Sequence, residues 1–232
     1  MKKIVLTSLS ALMMSVAAAG AADTCRKCGD QYKVFFGARA GIAKIAYDDA
    51  FSGLIVSGLL FGDTNPDKTV RISFPEYDTT LRMECGMRFG EYKSIWNGGF
   101  TISGEKTMGK EADVMVGQHA SMPAVAEMLV KDLKGSTSIF SATFDNYIRL
   151  NKSMENRLDL VIGVGLADIE TNVKLYGVGL SLQSHAAALR AGLDLELTEN
   201  ISMTVGARMY VPVTGQVVDS VCTFTGGFKF LF

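Results

Sequence analysis

The stretch "TLRMECGMRFG", Thr80 to Gly90, alternates without a break. Leu81, Met83, Cys85, Met87 and Phe89 fall on one side; Thr80, Arg82, Glu84, Gly86, Arg88 and Gly90 fall on the other. A period of two is that of a β-strand, whereas a helix would scatter these charges around its axis. The strand therefore has one wholly apolar face and one face carrying both signs of charge. What covers the apolar face decides the fold.

The same alternation recurs along the chain. "AAALRAGLDLEL" sets Ala187, Leu189, Ala191, Leu193, Leu195 and Leu197 against Arg190, Gly192, Asp194 and Glu196. "ISMTVGARMYV" sets Ile201, Met203, Val205, Ala207, Met209 and Val211 against Ser202, Thr204, Gly206, Arg208 and Tyr210. "RLDLVIGVGL", "IFSATFDNYIRL", "YKVFFGARAGI", "IWNGGFTISG" and the closing "CTFTGGFKFLF" follow the same rule. Eight strands are expected, over 32–47, 79–90, 95–104, 136–150, 157–168, 184–197, 201–211 and 221–232. The connections alternate in length. Those at 91–94, 151–156 and 198–200 are short; those at 48–78, 105–135, 169–183 and 212–220 are long. Short turns at one end and long loops at the other suit an antiparallel up-and-down transmembrane β-barrel.

A soluble β-sandwich also alternates, but its polar face lies in water and favours Lys and Glu. Here the polar face carries Gly, Ser, Thr and mixed Arg, Asp and Glu, which suits a narrow lumen where charges pair. The chain is 48% hydrophobic, yet after its first residues no stretch is long and apolar enough for a spanning helix. A formal net charge of -1 and the absence of a polybasic run exclude an electrostatic case for nucleic acid.

The opening "MKKIVLTSLSALMMSVAAAGAADTC" reads as an export signal over residues 1–21. Lys2 and Lys3 form the basic region, Ile4 to Ala18 the apolar core, and Ala19-Gly20-Ala21 the small residues of a cleavage site. Cleavage is expected before Ala22 or Asp23; an uncleaved anchor is the alternative. Residues 22–31 then form a short periplasmic segment and 32–232 the barrel.

Three segments carry a family likeness: "VFFGARAGIAKIAYD" as first strand, "LTENISMTVGARMYVP" at 197–212, and "FKFLF" as the last. With them the chain resembles the small eight-stranded outer-membrane barrels of the OmpA/OmpX type, within the outer membrane protein beta-barrel domain superfamily. The resemblance implies the cell outer membrane of a Gram-negative envelope, contact with lipid and lipopolysaccharide, and a C-terminal signal at Phe228, Phe230 and Phe232 read by the barrel-assembly machinery. It implies no cofactor. Members serve as structural barrels, adhesins, surface antigens and a few enzymes. The chain departs from the pattern in its Cys25-x-x-Cys28 motif and its apolar first loop.

Parity places Arg39, Arg82, Glu84, Arg88, Asp145, Arg149, Asp159, Arg190, Asp194, Glu196, Arg208 and Lys229 in the lumen, seven basic and five acidic. An eight-stranded barrel is just wide enough for side chains to fill. A packed ion-pair network is expected, with a narrow ion or solute path as the alternative. Tyr32, Phe89 and Trp96 fall at one edge of their strands and read as an aromatic girdle. In an oxidising compartment Cys25 and Cys28 are expected to form a local disulfide; redox or metal use is the alternative. Cys85 and Cys222 read as lipid-facing and kept apart by the first strand.

His119 and His185 are the two histidines. Ser184 and His185 are adjacent on a strand, so they face opposite sides and form no catalytic pair. No catalytic residue is assigned and no enzyme is expected. "AFSGLIVSGLLFG" (50–62) with "TVRISFP" (69–75) is expected to form a hairpin above the membrane; two further spanning strands, making ten, are the alternative. "SMPAVAEMLVKDLKG" (121–135) reads as a short helix stopped at Gly135. The function expected is structural or surface-interacting, through loops 48–78 and 105–135 meeting an extracellular ligand or host surface.

Overall fold

The computed structural model describes residues 32–47, 70–73, 75–90, 94–111, 113–116, 134–151, 157–175, 178–214 and 218–232. All the regular structure among them is strand. In chain order these are β1 (Tyr32–Tyr47), β2 (Val70–Ser73), β3 (Tyr77–Phe89), β4 (Trp96–Thr107), β5 (Lys110–Glu111), β6 (Asp113–Val116), β7 (Lys134–Arg149), β8 (Leu158–Leu175), β9 (Val178–Thr198), β10 (Ile201–Thr214) and β11 (Val218–Leu231).

Eight of these close a barrel. Each of β1, β3, β4, β7, β8, β9, β10 and β11 pairs antiparallel with the next, and β1 pairs with β11. The seam is zipped to its last residue: Phe232 N–H donates to Val34 O at 2.9 Å, and Val34 N–H donates to Phe232 O at 3.2 Å. No barrel edge is left with unpaired backbone groups, the condition for a sheet in lipid. The end bearing Tyr32 and Phe232 is called the terminal end below, and the other the loop end.

The outward faces form an apolar band. On β9 it runs from Leu197 to Ala187, roughly 25 Å at the usual strand rise and tilt. Phe89, Trp96 and Tyr32 are exposed at its terminal edge, where Tyr32 stands opposite Phe89. Phe228 and Phe230 of β11, and Phe232 just after it, are exposed. At the loop edge the outward residues turn polar within one step on most strands. Ile42 gives way to Lys44, Leu81 to Thr79, Phe140 to Ser138, Leu166 to Asp168, and Ala187 to His185.

Several expectations are corrected. Residues 169–183 are not a long loop: β8 continues to Leu175 and β9 starts at Val178, paired through Leu175 and Val178. Past Leu166 the outward residues become polar while the ladder continues. β4 likewise runs to Thr107, into the expected loop 105–135. Gly135 does not stop a helix; it lies in β7, opposite Val173 of β8 and Lys110 of β5. Residues 121–133 lie outside the described residues. Val70–Ser73 pairs with Asp113–Val116; 50–62, the other arm of the expected hairpin, lies outside the described residues.

Candidate functional site

The inward side chains come from alternate positions of all eight strands, so the interior is layered by strand register. Among the described residues, seven basic and seven acidic side chains are buried there. They are Arg39, Arg82, Arg88, Arg157, Arg190, Arg208 and Lys229 with Asp78, Glu84, Glu105, Asp145, Asp159, Asp194 and Glu196.

Glu84 is the hub. Its carboxylate accepts from Arg39 Nε at 3.0 Å and from Arg208 Nη2 at 3.2 Å. Lys229 Nζ stands 3.8 Å away and Arg190 Nη2 3.9 Å away. One carboxylate thus meets four cations, and two of these are shared with other acids. Arg190 Nη1 donates to Asp145 Oδ2 at 2.8 Å, and Lys229 pairs with Asp194. Charge-assisted bonds of this kind are the strong ones when their geometry is held.

Glycine makes two of these contacts possible. Asp145 on β7 and Arg190 on β9 both stand opposite Gly163 of β8. A Cβ on Gly163 would lie 2.1 Å from Asp145 Oδ1, so the bare position lets carboxylate and guanidinium meet across the middle strand. Gly37 of β1 does the same between Glu84 and Lys229, whose Cγ atoms would lie 3.2 and 3.1 Å from its Cβ.

A second cluster sits toward the terminal end. Arg88 bridges Asp159 at 2.7 Å and Glu196 at 3.1 Å, and Arg157 Nε donates to Asp159 at 2.9 Å. The Arg88 guanidinium lies 4.8 Å from the centre of the Tyr147 ring, and Lys229 lies 4.7 Å from that of Phe35. Both are in cation–π range. Toward the loop end, Arg82 holds Glu105 at 2.7 Å and donates to Thr225 at 3.0 Å. Tyr210 O–H donates to the same Glu105 at 3.2 Å, and Thr80 O–H at 2.9 Å.

Beyond that layer the interior changes character. Ala43, Ile45, Ile139, Ala167, Ile169, Ala186, Ala188, Tyr210, Val218 and Val221 form a buried apolar cluster, with Tyr47 packed against it. These residues occupy inward positions at and beyond the level where the outward faces become polar. The interior is therefore charged within the apolar band and mainly apolar above it, where Asp78, Thr107, Thr137, Thr171 and Ser184 are the buried polar residues among those described. An outside that lipid wets and an inside that charges fill is the reverse of a soluble sandwich. The chain is a transmembrane β-barrel.

No protein-family model matches the sequence, and neither does any curated protein sequence. Solved structures do resemble it. Ail, the attachment invasion locus protein of Yersinia pestis, is 13% identical, with 88% of this chain and 99% of that one covered and a TM-score of 0.46. Neisserial surface protein A is 10% identical, with 87% and 97% covered and a TM-score of 0.46. The N-terminal β-barrel domain of Pseudomonas aeruginosa OprF is 11% identical, with 88% and 98% covered and a TM-score of 0.44. The likeness is one of fold.

Of the lumen residues expected from parity, eleven are buried and enter the pairs above. Arg149, next to the terminal end of β7, is only half-buried. Sequence reasoning missed Glu105, which it had placed in a loop, although "TISGEKT" continues the alternation of β4 through Thr107. It also missed Arg157, which precedes β8, and Asp78, which accepts from Gly109 N–H at 2.8 Å.

Cys85 is half-buried and Cys222 exposed, both as thiols, opposite Phe36 and Lys44 of β1 respectively. Cys25, Cys28, His119 and the expected signal at 1–21 lie outside the described residues. His185 is exposed and faces outward, while Ser184 is buried on the inner face. The partner of His185 is Asp168, directly opposite on β8, whose carboxylate meets Nδ1. The sequence offered no signal for this pair, because it depends on the β8–β9 register.

Proposed function

We propose that this protein is an outer-membrane barrel whose lumen does not conduct and whose role, structural or surface-interacting, is carried by the segments at its loop end. The observation that supports this reading is the double closure of the interior. The paired charges around Glu84 fill the band, and the apolar cluster around Ile169 and Val221 fills the mouth above them. An ion would need a continuous polar path, and this layer is mainly apolar, with only Asp78 and the hydroxyls of Thr107, Thr137, Thr171 and Ser184 buried there among the described residues. The β8–β9 hairpin, which projects roughly 20 Å beyond the band at the usual strand rise, adds surface at the same end as the segments joining β1 to β3 and β4 to β7.

On this reading the loop end faces the cell exterior and an extracellular ligand or host surface. The band meets outer-membrane lipid and lipopolysaccharide, and Phe228, Phe230 and Phe232 are presented to the barrel-assembly machinery. We assign no catalytic role to His185. The test is single-channel recording of the refolded, heat-modifiable protein in a planar bilayer. No resolvable steps are expected. Stable, reproducible openings would replace this reading with that of a narrow channel lined by the buried arginines.

A further inference from the structure

We propose that Asn146 is the centre of an interface through which two copies of this barrel pair side by side within the membrane. Asn146 lies on β7 between Phe144 and Ile148, opposite Gly98 of β4 and Ile162 of β8. It is exposed on the outward face. Along the eight strands, the outward positions between the terminal edge and the polar transition are aliphatic, aromatic, methionine, glycine or cysteine everywhere except here. Among the described residues, its side-chain amide has no hydrogen-bond partner.

An amide in hydrocarbon with no partner is costly. Asn is also too short to reach past Ile148, which stands opposite Trp96 nearer the terminal edge, and so find headgroups. The side chain offers two N–H donors and one carbonyl acceptor. It is therefore complementary to a second copy of itself. Around a two-fold axis each amide N–H can donate to the carbonyl of the partner's Asn146, and such a contact closes at two copies.

The surrounding surface fits this use. Phe144 beside it on β7 and Ile162 opposite it on β8 are 65% and 44% exposed, so apolar side chains flank the amide. Packing of protruding apolar side chains and satisfaction of polar groups are the forces that join proteins in a bilayer, where hydrophobicity gives no drive. The inference rests on the band facing lipid and is independent of whether the lumen conducts.

The test uses the full chain with its four cysteines replaced by serine, reconstituted in phosphatidylcholine vesicles at low protein density. Asn146→Cys and Met203→Cys, on different faces, are oxidised in parallel with copper phenanthroline. Dimers should form from N146C at least about tenfold faster than from the Met203 variant. In the native background Asn146→Leu, which suits a lipid-facing site, should lower the dimer population about tenfold as read by single-molecule photobleaching. Equal cross-linking at the two positions, or an unchanged dimer population in N146L, would overturn the proposal and leave Asn146 to lipid or another membrane protein.

Discussion

Within the apolar band, β8 turns Leu160, Ile162, Val164 and Leu166 outward and Asp159, Val161 and Gly163 inward. Beyond it, the same strand turns Asp168, Glu170, Asn172 and Lys174 outward and Ile169, Thr171 and Val173 inward. The backbone ladder with β7 and β9 runs through both regions without a shift. Only the solvent outside has changed. In lipid the wall must be apolar, and the charges go inside, where they need partners. In water the wall is polar and the apolar residues go inside, as in any soluble sheet. One barrel thus contains two kinds of interior, and their junction marks the membrane surface.

The two interiors should fail differently. The largest effect is expected from Glu84→Gln, which keeps the shape but removes the charge that Arg39 and Arg208 touch and Arg190 and Lys229 approach. Leaving buried cations unmatched should cost roughly 3–5 kcal/mol by the behaviour of buried pairs elsewhere. Urea unfolding of the barrel in lipid vesicles reads it, and a change below 1 kcal/mol would show that water reaches the cluster. The outer wall comes next. Val164→Arg places a charge in lipid and should cost about 2–4 kcal/mol. Glu170→Arg, on the same face beyond the junction, should change stability by about 0.5 kcal/mol or less. Equal costs at 164 and 170 would erase the difference between the regions. The smallest effect that still tests packing is Ile139→Val in the apolar cluster, expected to cost about 1 kcal/mol. No change there would mean the loop-end interior is loosely filled.

Much of this was legible in the sequence. The alternation of Leu81 to Phe89 against Arg82 to Arg88 gives both the strand and its two-sided character, because side-chain parity in a strand is rigid. The inward placement of Arg190, Asp194 and Arg208 follows from the same parity. The extent of the hairpin did not follow. At Ala167 the hydrophobic phase of β8 reverses, and a reader who looks for one apolar face sees the strand end there. The reversal was the signal, but it announces a change of solvent rather than of structure. The pairings were hidden for another reason. That Asp145 meets Arg190 over Gly163, or that Asp168 meets His185, depends on register between strands, which the alternation within a strand does not specify.

The most direct test is a spin-label scan along β8 from Leu160 to Lys174 in lipid vesicles, one position at a time, in the cysteine-free chain. Collision rates with oxygen, which concentrates in lipid, and with a water-soluble nickel complex are compared at each site. Labels at 160, 162, 164 and 166 should favour oxygen, and those at 168, 170, 172 and 174 should favour nickel, with the alternate-residue period intact throughout. A preference for oxygen extending to 174, or loss of the period after 168, would contradict a single strand whose two faces exchange roles at the membrane surface.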